Sequence, residues 1–332
     1  MSEIPSLTFF CELDQKELQS LFADANVIKN LRSLNANISM GLRDFSPQRA
    51  DVVHKLVKAG IPVTAWLLLP KEQGYWTSLD TVASTAKTYG QFKEWVARYK
   101  LNISVVGLDI EPHYARMIQL QKHWTRMLPD LFWRLFEGKK YSRLEGDLRA
   151  LVNLIRTDGF AVETYTFPFV VDEKLSHSRF LTRLLGTPPL NADREVLMLY
   201  SSFFPKQGEA VLWSYAQQAR SVGLGSTGGG VEVDGENELR ALRWLDLRRD
   251  LLIARQYCRH IYIFSLEGSA RNGYLERLID FDWNARIDLP ISDGKKVTLA
   301  RKGLQALLWL LSHPWQILGS LALLNLFSRK KK

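Results

Sequence analysis

Asp109 and Glu111 stand one residue apart at the end of the run Val105-Val106-Gly107-Leu108-Asp109-Ile110, and Pro112 follows at once. A run this short and apolar reads as a buried strand stopped by the proline. Side chains alternate along a strand, so Val105, Gly107, Asp109 and Glu111 share one face and Val106, Leu108 and Ile110 the other. Residues i and i+2 on a strand lie about 6.5–7 Å apart at Cα. Two carboxyl groups therefore point into one space. Burial and mutual repulsion raise at least one of their pKa values, which sets a proton donor beside an anion. The plainer reading has the pair capping the next helix or pairing with Arg116.

The elements around the pair follow from the hydrophobic pattern. Throughout residues 7–285 short apolar runs alternate with amphipathic segments, the mark of repeated βα units. Strands are expected at 7–13, 37–45, 62–69, 104–111, 161–167, 195–201, 221–227 and 260–266. Helices are expected at 15–34, 46–59, 81–99, 172–185, 207–220 and 238–258, with Ser46-Pro47 opening the second. Eight strands with interleaved helices predict an α/β fold, a (β/α)8 TIM barrel spanning residues 1–290. A doubly wound open sheet is the alternative, but no glycine-rich dinucleotide turn follows the first strand. Residues 114–157 hold two helical patterns where a barrel needs one, so a helical insertion is expected after strand four. In its first part Met117, Leu120, Trp124, Met127, Leu128, Leu131 and Leu135 form an apolar stripe.

Active sites of such barrels form at the C-terminal ends of the strands. That placement gathers Glu12, Asp44, Tyr165, Tyr200 and Glu267 around Asp109 and Glu111, with Trp66, Tyr75 and Trp76 near in sequence. These residues are expected to line a substrate site, the rings offering faces on which a sugar stacks. Glu163 shares a strand face with Tyr165 and is expected just below it. The lone His113 reads as structural or solvated. The glycine-rich stretch 228–237 lacks the Lys-Ser/Thr ending of a phosphate cradle and reads as a rim loop. No Ser-His-Asp elbow or Cys-His pattern occurs, and Cys11 and Cys258 have no metal spacing. Neither a metal nor a cofactor is expected.

The formal charge of +9 belongs to one end of the chain. Residues 295–332 hold eight basic residues and no acid, and the remainder has 36 basic against 35 acidic residues. A nearly neutral body argues against nucleic acid as a partner, since phosphate binding needs a basic face. Residues 303–328 carry no Asp, Glu, Lys or Arg, and residues 306–327 are long enough to reach across ~30 Å of hydrocarbon. His313, Pro314 and Gln316 fall at the middle of that stretch, which fits a bent helix lying in a membrane interface as well as a span. Helices packed on the barrel are the third reading. The stretch 295–332 is thus expected to be a basic-flanked tail beyond a barrel complete by Asp282, attaching the chain to a membrane surface through residues 303–332. No basic-then-apolar signal peptide opens the sequence, so the cytoplasmic face is expected.

Gly107-Leu108-Asp109-Ile110-Glu111 resembles the end of the Asp-x-Glu signature on strand four of family-18 glycoside hydrolases, the chitinases and endo-N-acetylglucosaminidases. Met198-Leu199-Tyr200 resembles that family's Met-x-Tyr-Asp motif on strand six. The resemblance implies hydrolysis of an N-acetylated sugar polymer or glycoconjugate. It implies Glu111 as the acid that protonates the leaving oxygen, Asp109 as the residue orienting the substrate acetamide, and Tyr200 as its hydrogen-bond partner. The acetamide oxygen is then the nucleophile, an exception to the two-carboxylate scheme. The sequence departs from the family in four places. Val105 and Gly107 replace earlier aspartates, Ser201 replaces the aspartate after the tyrosine, and Glu267 stands where an aromatic floor residue would end strand eight. An Asp-x-Glu pair at a strand end also occurs in family-25 lysozymes.

Two other classes stay open. Glu12, Asp44, Asp109, Glu111 and Glu267, with His113 nearby, offer ligands for Mg²⁺ or Mn²⁺ in a barrel of the sugar isomerase or lyase type. A catalytically silent, membrane-tethered barrel is the third.

Overall fold

The computed structural model describes residues 4–119, 122, 133–134, 137–204, 206–229 and 241–313. Eight parallel strands close in sequence order into a barrel, with β8 pairing back to β1. They are β1 (Ser6–Cys11), β2 (Asn37–Leu42), β3 (Val63–Leu67), β4 (Val105–Ile110), β5 (Ala161–Thr166), β6 (Arg194–Met198), β7 (Ser221–Gly225) and β8 (His260–Phe264). The ladders stop one to three residues short of the expected apolar runs. Glu12, Glu111 and Tyr200 therefore lie just past their ladders, at the C-terminal rim.

Two apolar layers hold the barrel. Outward-facing Val106, Leu108 and Ile110 join the core between sheet and helices, which each strand feeds in the same way. The barrel interior is a second cluster built on Phe10, Trp66, Tyr165, Val196 and Tyr262. Phe10 and Tyr165 meet edge to face at 4.7 Å, the arrangement ring quadrupoles favour. Gly107 makes that layer possible. A Cβ there would come within 2.4 Å of Tyr165 Oη, so only glycine lets the tyrosine cross the barrel to Ser39 Oγ, 2.7 Å away.

The helices are α1 (Gln15–Ala23), α2 (Ala25–Ser33), α3 (Pro47–Lys58), α4 (Val82–Tyr99), α5 (Gly138–Thr157), α6 (Phe169–Leu175), α7 (Phe180–Leu185), α8 (Gly208–Ala216), α9 (Trp244–Arg255), α10 (Leu266–Arg271), α11 (Tyr274–Ile279) and α12 (Ile291–Ser312). The single helix expected at 15–34 is two, because Asp24 ends α1 and its carboxylate accepts from Asn26 N at 2.8 Å to start α2. The helix expected at 172–185 is likewise split into α6 and α7. Ser46 caps α3 as expected, its Oγ 3.2 Å from Arg49 N. Within the insertion residues 114–119 are helical, whereas Leu120, Trp124, Met127, Leu128, Leu131 and Leu135 lie outside the described residues.

The C-terminal region is bound to the barrel earlier than the charge pattern predicts. Helix α12 begins at Ile291 and packs against α8 and α6. Its buried residues are Gly294, Arg301 and Leu308, a single seam along the helix. A Cβ at Gly294 would fall 2.2 Å from the Trp213 ring, so glycine sets the close approach to α8. Arg301 Nη2 lies 3.0 Å from Asp172 Oδ1, both side chains buried, and its guanidinium stacks 3.6 Å over the Tyr215 ring. Among the described residues no helix is long and apolar enough to cross a membrane. Residues 314–332 lie outside the described part.

Candidate active site

The loop after β3 runs beside the end of β4 and fixes it. Thr77 N donates to Asp109 O at 2.8 Å, and Glu111 N donates to Thr77 O at 3.2 Å. These bonds hold the backbone on both sides of Ile110, whose side chain is anchored in the outer core. Asp109 and Glu111 thus keep the common face that strand alternation gives them.

Asp109 is 3% exposed, whereas Glu111 is half-buried. The two carboxyls share a hydrogen bond. Burial, then the charges of Glu111 and Glu12, push the Asp109 carboxyl well above the usual carboxylate range. Burial and the charge of Glu12 push Glu111 up to about 8, against the pull of its hydrogen bond with Asp109. The pair therefore holds a proton at neutral pH.

Three side chains from other strands close around the pair. Glu12, one residue past β1, is buried and accepts from Tyr75 Oη at 2.5 Å. Burial and the Glu12 charge hold the Tyr75 phenol up, so it remains a donor. Tyr200, past β6, is buried with its hydroxyl proton retained, first through desolvation and then through Asp109, Glu111 and Glu12. Its ring lies between Phe203 and Phe264. Trp66 of β3 brings its indole N–H close enough to favour the Asp109 charge. That Nε1 and Asp109 Oδ1 are nevertheless both buried without a hydrogen-bond partner among the described residues. A buried donor and a buried acceptor that both lack a partner are a costly arrangement and one complementary to an amide.

Trp76 forms a wall with Tyr75 and Tyr114, the ring centroids 5.4–6.2 Å apart. Glu267, in the first turn of α10, is buried against Gly229, and its charge is felt at Cys11 beside Glu12.

The remaining expected residues stand elsewhere. Tyr165 is fully buried in the mid-barrel layer, bound to Ser39 and, at 3.3 Å, to Glu163, so it supports the floor rather than facing the rim. Asp44 is tied to Arg49, Nη2 to Oδ2 at 2.7 Å, while Arg49 also donates to Gly41 O and Leu13 O. Burial raises the Asp44 carboxyl, but hydrogen bonds from Arg49 and Ser46 outweigh it and hold it below the usual range. Asp44 therefore organises the β2–α3 turn. Glu163 lies one layer beneath Tyr165 and pairs with Arg194 at 2.7 Å, lining a cavity of about 350 Å³ at the opposite, N-terminal end of the barrel. His113 packs on Gly74 and meets Ala115 N at 3.3 Å.

Sequence reasoning missed Thr77 and Tyr114. Thr77 acts through its backbone, which leaves no residue-type signal. Tyr114 opens the helical stretch after Pro112, where an aromatic reads as ordinary helix packing. Among the described residues no group of three or more His, Cys, Asp or Glu is arranged to hold a metal ion.

No family model and no curated protein matches the chain. Solved structures similar to it include the PgaB (BpsB) glycoside hydrolase domain from Bordetella bronchiseptica, at 12% identity over 84% of this chain and 99% of that one, with a TM-score of 0.48. The 3-keto-D-glucoside 4-epimerase YcjR from E. coli is 10% identical over 83% of this chain and 98% of that one, with a TM-score of 0.47. A xylose isomerase domain protein from Planctomyces limnophilus is 15% identical over 83% and 95%, with a TM-score of 0.41.

Proposed function

We propose that the chain is a glycoside hydrolase acting on an N-acetylated sugar, with Glu111 as the proton donor to the leaving oxygen. The observation that carries this reading is the Asp109–Glu111 pair: one buried carboxyl bonded to a half-open one that retains its proton to about pH 8. An acid of that pKa is matched to work near neutral pH.

Asp109 is bonded to the acid and so lies on the acid's side of the scissile bond. A carboxylate nucleophile would stand about 5–5.5 Å from the acid, across the sugar. Asp109 suits a different task, accepting the N–H of a substrate acetamide. Tyr200 keeps its hydroxyl proton and donates to the same group. The acetamide oxygen attacks C1 as the glycosidic bond breaks, and Glu111 gives its proton to the departing oxygen. A water, deprotonated by Glu111, then opens the cyclic intermediate at C1 and regenerates both acetamide and acid. The orphaned Asp109 Oδ1 and Trp66 Nε1 support an amide ligand, because each gains the partner it lacks. Ser201, where the resembling family carries an aspartate, is bonded instead to buried Asp250, so Tyr200 works without that carboxylate beside it.

The test is turnover of fluorogenic and chitooligosaccharide N-acetylglucosaminides by wild type and Glu111→Gln, with circular dichroism to verify folding. Loss of general-acid catalysis costs ~10²–10⁴-fold. Equal turnover by the folded variant rejects Glu111 as the acid. No turnover by wild type on these substrates rejects the reading and leaves a silent barrel.

A further inference from the structure

Helix α12 is docked through one line of residues, and its last turns are apolar on the outside as well. Gly294, Arg301 and Leu308 face the barrel. A surface helix normally carries polar residues around the rest of its circumference. The first half of α12 does so, with Lys295, Lys296 and Lys302 exposed. From Gly303 to Ser312 the only polar side chains are Gln305, which donates to Asp172 Oδ1 at 2.7 Å, and Ser312, which meets Ser178 Oγ at 2.7 Å. Outside are Leu307, Trp309, Leu310 and Leu311, each 40–51% exposed, and one face further back Leu299 is 71% exposed. Leu175 of α6, the helix on which α12 rests, is 53% exposed as well. So many exposed large apolar side chains on one end of a surface helix point to a binding face.

We propose that this end of α12 is a docking face for an anionic lipid bilayer, lying in the headgroup region rather than spanning. Two features select that occupant. Charge is the first: from Lys295 to Lys332 every ionised side chain is basic, and Lys295 and Lys302 border the apolar face, while Lys296 is paired with Asp293 at 2.7 Å. Two copies meeting through this face would bring like charges together, whereas anionic headgroups complement them. Composition is the second: Leu beside Trp, bordered by Lys, is what an interfacial helix presents at the boundary of headgroups and acyl chains. The sequence that follows, 314–328, is again without charge, and Arg329 to Lys332 are basic, so the same chemistry continues past the described helix. Because Arg301 and Leu308 fasten α12 to the barrel, the barrel would be held against the lipid on its α6–α8 flank.

The experiment is flotation of the full chain with vesicles of phosphatidylcholine alone and of phosphatidylcholine with 30 mol% phosphatidylserine. The expected result is flotation with the serine lipid, and at least a tenfold weaker partition in 0.5 M salt or on phosphatidylcholine alone. The variant Leu307→Glu/Leu310→Glu/Leu311→Glu leaves the 294/301/308 seam intact. It is expected to keep the wild-type circular dichroism and lose at least tenfold in partition. Wild type that stays at the bottom of the gradient overturns the proposal. Undiminished flotation by the folded triple variant also overturns it, because binding then belongs to other residues. A third overturning result is a lipid-free dimer, seen by light scattering and abolished by the same variant.

Discussion

Tyr75 Oη donates a 2.5 Å hydrogen bond to Glu12 Oε1, tying the loop after β3 to the end of β1 beside the Asp109–Glu111 pair. The bond fixes a buried carboxylate whose charge raises Asp109, Glu111 and Tyr200 together. Burial is the larger cause of each shift, and Glu12 adds its charge to all three.

Removing that charge should move the acid. In Glu12→Gln the repulsion that helps burial hold Glu111 at about 8 is gone, so its pKa falls. The basic limb of the pH–rate profile should shift to lower pH, with kcat at pH 6 changing less than kcat at pH 8. A basic limb that stays in place would mean Glu12 is only part of the wall.

The same pair should cost stability at alkaline pH. A carboxyl whose pKa is raised by folding binds its proton more tightly folded than unfolded, so its contribution is fully present below the unfolded value and is lost as pH rises through the folded one. For Glu111 that window runs from 4.5 to about 8. Glu111→Gln should thus gain Tm relative to wild type as pH rises from 5 to 9, with the two proteins closest at pH 4. Thermal melts across that range that show a constant difference would count against a strained pair.

Arg301 should be needed for folding rather than for activity. Its guanidinium meets Asp172 in a buried site, and losing one partner strands the other charge, which typically costs about 3–5 kcal/mol. Arg301→Met should lower the urea midpoint accordingly, while Arg301→Met/Asp172→Leu should recover most of the loss. Measured costs below ~1 kcal/mol for the single variant would show that the Arg301–Asp172 pair is not what holds α12 on the barrel.

The strand pattern was legible in the sequence because burial on both faces of a parallel barrel selects short apolar runs, and each run from β1 to β8 overlaps the strand observed. The helix break at Asp24 was present as an Asp-Ala-Asn step and was overridden by the longer apolar period around it. The acid pair was legible for a local reason: alternation along β4 puts Asp109 and Glu111 on one face whatever surrounds them.

What the sequence determined by itself was therefore a barrel of eight βα units with two carboxyls at the end of strand four. Only the tertiary structure decided which companions serve that pair. Asp44 and Glu12 are both acids past strand ends, yet Arg49 claims the first and Tyr75 turns the second toward the site. Tyr165 lies on a strand and Tyr200 just past one, yet one crosses mid-barrel over Gly107 and the other feels the charges of the carboxyls. The Arg301–Asp172 bridge joins residues 129 apart in the chain, so charge counting along 295–332 left packing on the barrel as one reading among three. A periodicity is a property of neighbours in sequence, whereas a partner, and the desolvation that gives it weight, exists only once distant segments have packed.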